Sequence, residues 1–278
     1  MGWLGYPGDS GLGTMDYVIG DPYVLPMSMQ PVTRAPIVHL SCFACFTPPI
    51  EAPPVAPLPA ATQGFIHFGC FHNPAKCSTE AIGVWAEILA RLPHSRLVLT
   101  YKGFASPAVQ QHFRDTFAAR GIDGARIAFT GELPLPDLFA ALNRIDIALD
   151  PFPFSGGLMT CFALWMGAPV ITLPGETFAS RQGLSFLSAI GLQELAAADA
   201  QDYVDKAVAL AKDRQRLADL RQNLRPLMRQ SPLCDGKKAA MNVQEIFRTI
   251  WRSACAKANS GIAMAELPIE RKNDERGL

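Results

Sequence analysis

A chain of 278 residues, 49% hydrophobic and 18% charged, carries enough apolar material for one large or two ordinary folded domains, and this composition excludes a disordered or fibrous protein. Its 25 basic and 25 acidic side chains cancel, so no net field draws it to nucleic acid, an anionic membrane or a polyanionic substrate, and any anion site must be local. No apolar run reaches membrane-spanning length, the start MGWLGYPGDSG lacks the basic and apolar regions of a secretory leader, and seven cysteines form no disulfide-like framework. A soluble protein of the reducing cytoplasm is expected.

Residues 1–63 read as an irregular segment. Its Gly-rich opening leads into the proline-dense FTPPIEAPPVAPLPAATQG, where missing donors and fixed φ exclude helix and central strand and predict an extended linker. From Gly64 the pattern changes. GFIHFG is strand-like, and STEAIGVWAEILARLP is an amphipathic helix capped by Ser78, with Ile82, Trp85, Ile88 and Leu89 on one face. The alternation continues with strand RLVLTY, a helix from Pro107 closed by Gly121, strand ARIAFTG, helix LPDLFAALNR and strand IDIALD. Helix Leu158 to Met166, strand Pro169 to Leu173 and helix Thr177 to Ile190 extend it, and residues 202 to 251 are helical. Alternation at this spacing predicts an α/β fold: a Rossmann-like parallel sheet with helices on both faces and a helical C-terminus, over residues 64–252. Residues 253–278 read as a flexible charged tail.

Ligands of such sheets sit beyond the carboxyl ends of the strands, where loops enter helices. Ser155-Gly156-Gly157 falls in one of those loops. Glycines let the backbone approach a ligand, and the N–H groups of the following helix attract phosphate or sulfate. Thr160 adds a hydroxyl. The same pair of glycines also fits a plain turn, and both readings stay open on residue pattern alone. A dinucleotide-dependent dehydrogenase would carry G-x-G-x-x-G after the first strand, and FGCFHNPAK does not.

Several separated motifs carry a family resemblance. DPFPFSGGLMTCFALWMGAPVITLPGETFASR, GCFHNPAKCSTEAIGVWAEIL, QSPLCDGKKA and the opening WLGYPGDSG resemble, in family order, the C-terminal catalytic region of the protein O-GlcNAc transferase and SPINDLY-like glycosyltransferases. The resemblance extends to about Trp251. It implies the C-terminal, nucleotide-sugar-binding lobe of a GT-B enzyme. The reaction implied is transfer of GlcNAc from UDP-GlcNAc, or in some plant-type members fucose from GDP-fucose, to Ser or Thr hydroxyls of proteins. No cofactor and no metal is implied; a lysine, hydroxyls and a helix N-terminus neutralise the diphosphate leaving group. By position Lys76 matches the family lysine on the diphosphate and is the expected catalytic residue, although from the residues alone it reads as a surface lysine. Gly156, Gly157 and Thr160 match the phosphate turn and helix start. Glu176 and Arg181 lie in the next turn, beside the donor, and Tyr6, Pro7 and Gly8 match a loop near the transferred sugar.

The departures are equally specific. Met159 stands where the family has a hydroxyl, and Phe162 where it has an acid expected to bind the ribose hydroxyls, which predicts weakened donor affinity. Leu135 and Leu138 replace the His or Lys often found there, and Asp9 a usual Thr. Met1 falls inside a family motif, so a separate N-terminal catalytic lobe or a tetratricopeptide-repeat partner is expected to complete the acceptor cleft. The competing expectation is a non-catalytic nucleotide-sugar-binding or interaction module. Cys42-x-x-Cys45 lacks a second cysteine pair at zinc spacing and reads as structural. Trp85, Phe113, Phe117, Trp165 and Trp251 fall at helix-core spacing.

Overall fold

The computed structural model describes residues 2–4 and 11–259. The chain divides into two compact units, residues 1–239 and 240–278, and the first holds the sheet. The segment read as irregular contains two short strands, β1 (Val18–Gly20) and β2 (Ile37–His39), paired in parallel. Strands of three residues bounded by glycine and proline leave too little alternation to see in sequence. Asp21, just after β1, is buried, and its carboxylate accepts the N–H groups of Tyr23, Val24 and Phe43 at 2.8–2.9 Å.

As far as Leu58 the proline-dense stretch has no regular structure, and it is tethered at several points. Asn143 bonds both Pro54 and Ala56, while Arg221 and Arg225 donate to the carbonyls of Ala56 and Pro53. Prolines keep a carbonyl but lose the N–H, so arginines are the partners such a strap needs. Against the extended linker expected, its last residues form a short helix, α1 (Pro59–Gln63), with Pro59 at the first position, where its missing N–H costs nothing, and Gly64 closing it in the left-handed conformation.

The main sheet follows: β3 (His67–Cys70), α2 (Thr79–Arg91), β4 (Arg96–Thr100), α3 (Pro107–Ala118), β5 (Ile127–Thr130), α4 (Leu135–Leu142), β6 (Ile147–Leu149), α5 (Leu158–Trp165) and β7 (Val170–Ile171). Its five strands are all parallel in the order β5-β4-β3-β6-β7. The order reverses direction between β3 and β6, which opens a crevice beyond their carboxyl ends. Every residue of β6 is buried, as expected for a central strand covered on both faces. Ser78 caps α2 by accepting the Ala81 N–H, and Ile82, Trp85, Ile88 and Leu89 are buried as the periodicity requires. Phe113, Phe117 and Trp165 join that core, whereas Trp251 is 70% exposed, against the core role its spacing suggested.

The helix expected over 177–190 is interrupted. Thr177 and Ser180 close a capping box around a single 3-10 turn, and α6 begins only at Gln182 (Gln182–Ala189). The chain continues as α7 (Ala200–Lys212), α8 (Arg214–Gln230) and α9 (Gly236–Asn259). Among the described residues no helix is long and apolar enough to cross a membrane.

Candidate functional site

The loops after β3 and β6 meet at the switch point. The β6 loop is held from beneath by Asp150, which is fully buried at the strand's end. Its carboxylate accepts the Gly156 N–H at 2.8 Å, the Thr172 hydroxyl at 2.6 Å and, more weakly, the Thr160 hydroxyl at 3.4 Å. Its carbonyl accepts the Tyr203 hydroxyl of α7 at 3.0 Å. Burial raises the Asp150 pKa from 3.8 to about 6, against the opposing pull of these hydrogen bonds and Lys76.

Gly156 is required by this packing. A Cβ there would collide with the Thr160 hydroxyl and the His72 ring. Gly157 is different, since a Cβ would meet only the Gln182 side chain at 3.5 Å. It opens α5 without a side-chain cap. Among the described residues nothing accepts the N–H groups of Gly157, Leu158 and Met159. Successive free N–H groups at a helix start concentrate partial positive charge and fit the oxygens of an anion.

Lys76 reaches the same place from the β3 loop. It ends a 3-10 turn (Pro74–Lys76) capped by Asn73, and the next residue, Cys77, forms a backbone bridge with Pro153 of the β6 loop. The Lys76 ammonium donates to the Ser155 carbonyl at 3.1 Å and lies 3.8 Å from the centre of the Phe154 ring. No carboxylate forms an ion pair with it among the described residues. Burial lowers its pKa below the ordinary lysine value, with Asp150 acting in the opposite sense. The group is a cation held beside the turn, with donors to spare.

His72 separates the two loops. Its Nε2 is 3.6 Å from the Asp150 carboxylate, but burial first and Lys76 second lower its pKa to about 3, so at neutral pH it is an uncharged ring and no ion pair forms. Asp150 and His72 were not singled out as a site pair in the sequence. Their partners Gly156, Thr160, Thr172 and Tyr203 are scattered along the chain, and only the fold joins them. The usable signal was an acid ending an otherwise apolar strand.

The other expected residues divide. Thr160 is 1% exposed and turned toward Asp150. Arg181 donates through Nε to the carbonyl of Tyr23 at 2.7 Å and through Nη1 to that of Gly175 at 2.9 Å. Glu176 is exposed and forms no hydrogen bond or ion pair among the described residues. Tyr6, Pro7 and Gly8 lie outside the described residues. Phe162 is buried and packs against Phe139 and Phe46, with ring centres 5.3 and 6.0 Å apart. Beside Gly157 lies an apolar cavity of about 210 Å³, lined in part by Phe43, Phe46, Leu158, Cys161, Phe178 and Phe186. Among the described residues no cluster of three His, Cys, Asp or Glu side chains is arranged to hold a metal ion.

Comparison with known proteins places this geometry. The sequence profile of glycosyl transferase family 41 matches residues 59–243. The chain is 40% identical over 258 residues to a probable UDP-N-acetylglucosamine–peptide N-acetylglucosaminyltransferase SPINDLY of Solanum lycopersicum, covering 91% of this chain and 27% of that protein. It is 39% identical over 278 residues to its namesake in Arabidopsis thaliana, covering 98% of this chain and 30% of that one. The chain thus spans less than a third of the length of these relatives. In structure it is similar to a lysine-to-methionine mutant of an O-GlcNAc transferase from Thermobaculum terrenum, with a TM-score of 0.85 at 34% identity, over 92% of this chain and 49% of that one. The α/β lobe expected from the sequence motifs is the one observed, and the chain belongs to glycosyl transferase family 41.

Proposed function

We propose that this chain is the donor-binding lobe of a protein O-GlcNAc transferase, which transfers GlcNAc from UDP-GlcNAc to Ser or Thr hydroxyls of proteins. One observation carries the reading. The Lys76 ammonium and the unaccepted N–H groups of Gly157, Leu158 and Met159 converge at the switch point of the sheet. In transfer, the bond between the sugar's anomeric carbon and the diphosphate breaks, and negative charge grows on the departing phosphate. Fixed N–H dipoles and a half-buried ammonium stabilise that charge with little reorganisation, because the fold has already oriented them. Lys76 keeps its proton and acts as a charge. The names of the relatives support UDP-GlcNAc as donor and a peptide as acceptor. The acceptor, its base and any further lobe or repeat partner belong to the proposal, as does the cytoplasmic location, which rests on the unpaired cysteines.

Calorimetric titration of UDP, GDP and UDP-GlcNAc into the purified chain tests the reading. Saturable UDP binding that Lys76→Ala weakens is the expected result. A folded chain that takes up none of the three would overturn it.

A second reading, a lobe that binds or assembles without turnover, has one observation in its favour. Phe162 sits among Phe46 and Phe139, so that position offers no acceptor to a donor hydroxyl. Binding of UDP without hydrolysis or transfer, even with acceptor peptide supplied, would favour it.

A further inference from the structure

Asp150 is where the elements around the switch point meet. Thr160 of α5, Thr172 just after β7 and the Gly156 N–H all reach its carboxylate. From α6 the backbone comes so near that a Cβ on Gly183 would lie 2.7 Å from Oδ2. The titratable groups facing it are His72, Cys70 and Lys76 from β3 and its loop, and Tyr203 from α7. His72 is uncharged at neutral pH, and no ion pair joins Lys76 to the acid.

An amide would hold the same bonds. Its oxygen accepts the Gly156 N–H and the Thr160 hydroxyl, and its NH2 donates to the Thr172 hydroxyl, which turns to accept. The turn therefore needs an acceptor at this position but not a negative charge. That charge lies close to any anion on the turn. Oδ1 is 2.8 Å from the Gly156 nitrogen, and the first free N–H, that of Gly157, is the next along the chain. One peptide step and a second hydrogen bond place an oxygen bound there within about 10 Å of the carboxylate. Asp150 is fully buried, so salt screens it little.

We propose that Asp150 is the positioning residue of the anion turn and also favours product release: its oxygens aim the free N–H groups, while its negative charge loosens their grip on the departing diphosphate. This rests on the donor-site reading. When the bond to the sugar breaks, the diphosphate gains one negative charge, so Asp150 repels UDP more than it repels UDP-GlcNAc. Lys76 and the N–H groups offset that repulsion while the bond breaks. Once it has broken, the acid tips the balance toward release. Burial raises the Asp150 pKa to about 6, so the charge is present at neutral pH and fades in acid. A bound anion favours the protonated acid further, and binding near pH 6 takes up protons.

Calorimetry on the whole chain tests this with UDP and UDP-GlcNAc at pH 8, using the wild type, Asp150→Asn and Asp150→Ala, each first shown to melt cooperatively. Asp150→Asn should bind UDP roughly fivefold more tightly than the wild type and gain less for UDP-GlcNAc. Asp150→Ala leaves the Gly156 N–H without an acceptor and should bind both more weakly than Asp150→Asn. An acid that served the fold alone would give no such gain. The wild type supplies a second readout that survives a variant's failure to fold. Both phosphates of UDP-GlcNAc are esterified and do not titrate near pH 6, so heats measured there in two buffers of different ionisation enthalpy count the protons taken up by the chain. Uptake is expected in the wild type and not in Asp150→Asn. Weaker UDP binding by Asp150→Asn, equal gains for the two ligands, or no proton uptake by the wild type would each overturn the proposal and leave the donor site standing. A chain that binds neither ligand overturns the donor-site reading, and the proposal with it.

Discussion

At the scale of single residues, the site rests on buried groups whose protonation differs between the folded and unfolded chain. Asp150 has its pKa raised from 3.8 to about 6, so the fold holds its proton more tightly than the unfolded chain does. Its contribution is therefore greatest in acid and declines as pH rises from about 4 to about 6. Relative to the wild type, Asp150→Asn should gain stability over that window, as read from melting temperatures at either end. His72 acts in the opposite sense. Its pKa falls from 6.5 to about 3, so the folded chain resists a proton that the unfolded chain accepts, and stability is lost as pH drops below 6.5. His72→Gln should flatten that acid limb, and an unchanged limb would show that the ring is not buried neutral. Lys76→Ala should weaken UDP by about tenfold or more with a melting temperature close to wild type, since its ammonium is tied to one carbonyl. Lys76 was legible only through the motif around it. As a residue type it is indistinguishable from a surface lysine, and the loop its ammonium meets lies 79 residues away.

At the scale of elements, the two glycines of the β6 loop should part company. Gly156→Ala forces the turn off the His72 ring and the Thr160 hydroxyl, and overpacking of this kind costs about 1–3 kcal/mol, with UDP binding lost. Gly157→Ala has room, so its melting temperature should stay near wild type. Equal damage from both would show that the turn is not packed as described. The Pro-rich strap makes a different prediction. Arg221, 2% exposed, bonds the carbonyls of Ala56, Asn143 and Ile145, and Arg221→Ala strands these neutral acceptors around a hole, at a cost of roughly 2–5 kcal/mol by chemical denaturation. The α/β alternation from β3 to β7 was readable, because apolar runs, the Ser78 cap and Gly121 mark their own boundaries. The break before α6 was not. Thr177 and Ser180 satisfy each other's backbone, and in sequence such a pair is one polar step in a helical pattern. Phe162 shows the reverse case. Its difference from the family acid was visible, but not the ring cluster around it, and Phe162→Glu should bury a carboxylate among Phe46 and Phe139 and destabilise the fold without restoring donor affinity.

At the scale of the whole molecule, ligand binding and folding are linked. A ligand at a hundred times its dissociation constant adds about 2.7 kcal/mol to stability. Saturating UDP should therefore raise the melting temperature of the wild-type chain and shift Lys76→Ala much less at the same concentration, as thermal denaturation would show. The sheet has a further consequence, for association. Its β7 edge is occupied, since Thr172 bridges Ala196 and accepts the Ala197 N–H at 2.8 Å. The opposite edge, β5, is four residues long and has no strand partner outside β4 among the described residues. Fibre growth by strand addition needs two open edges on every copy, one to receive and one to offer. Within the five-stranded sheet the described residues leave only the β5 edge open, so two copies that meet there occupy each other's edge, and that sheet offers no second edge at which a third could add.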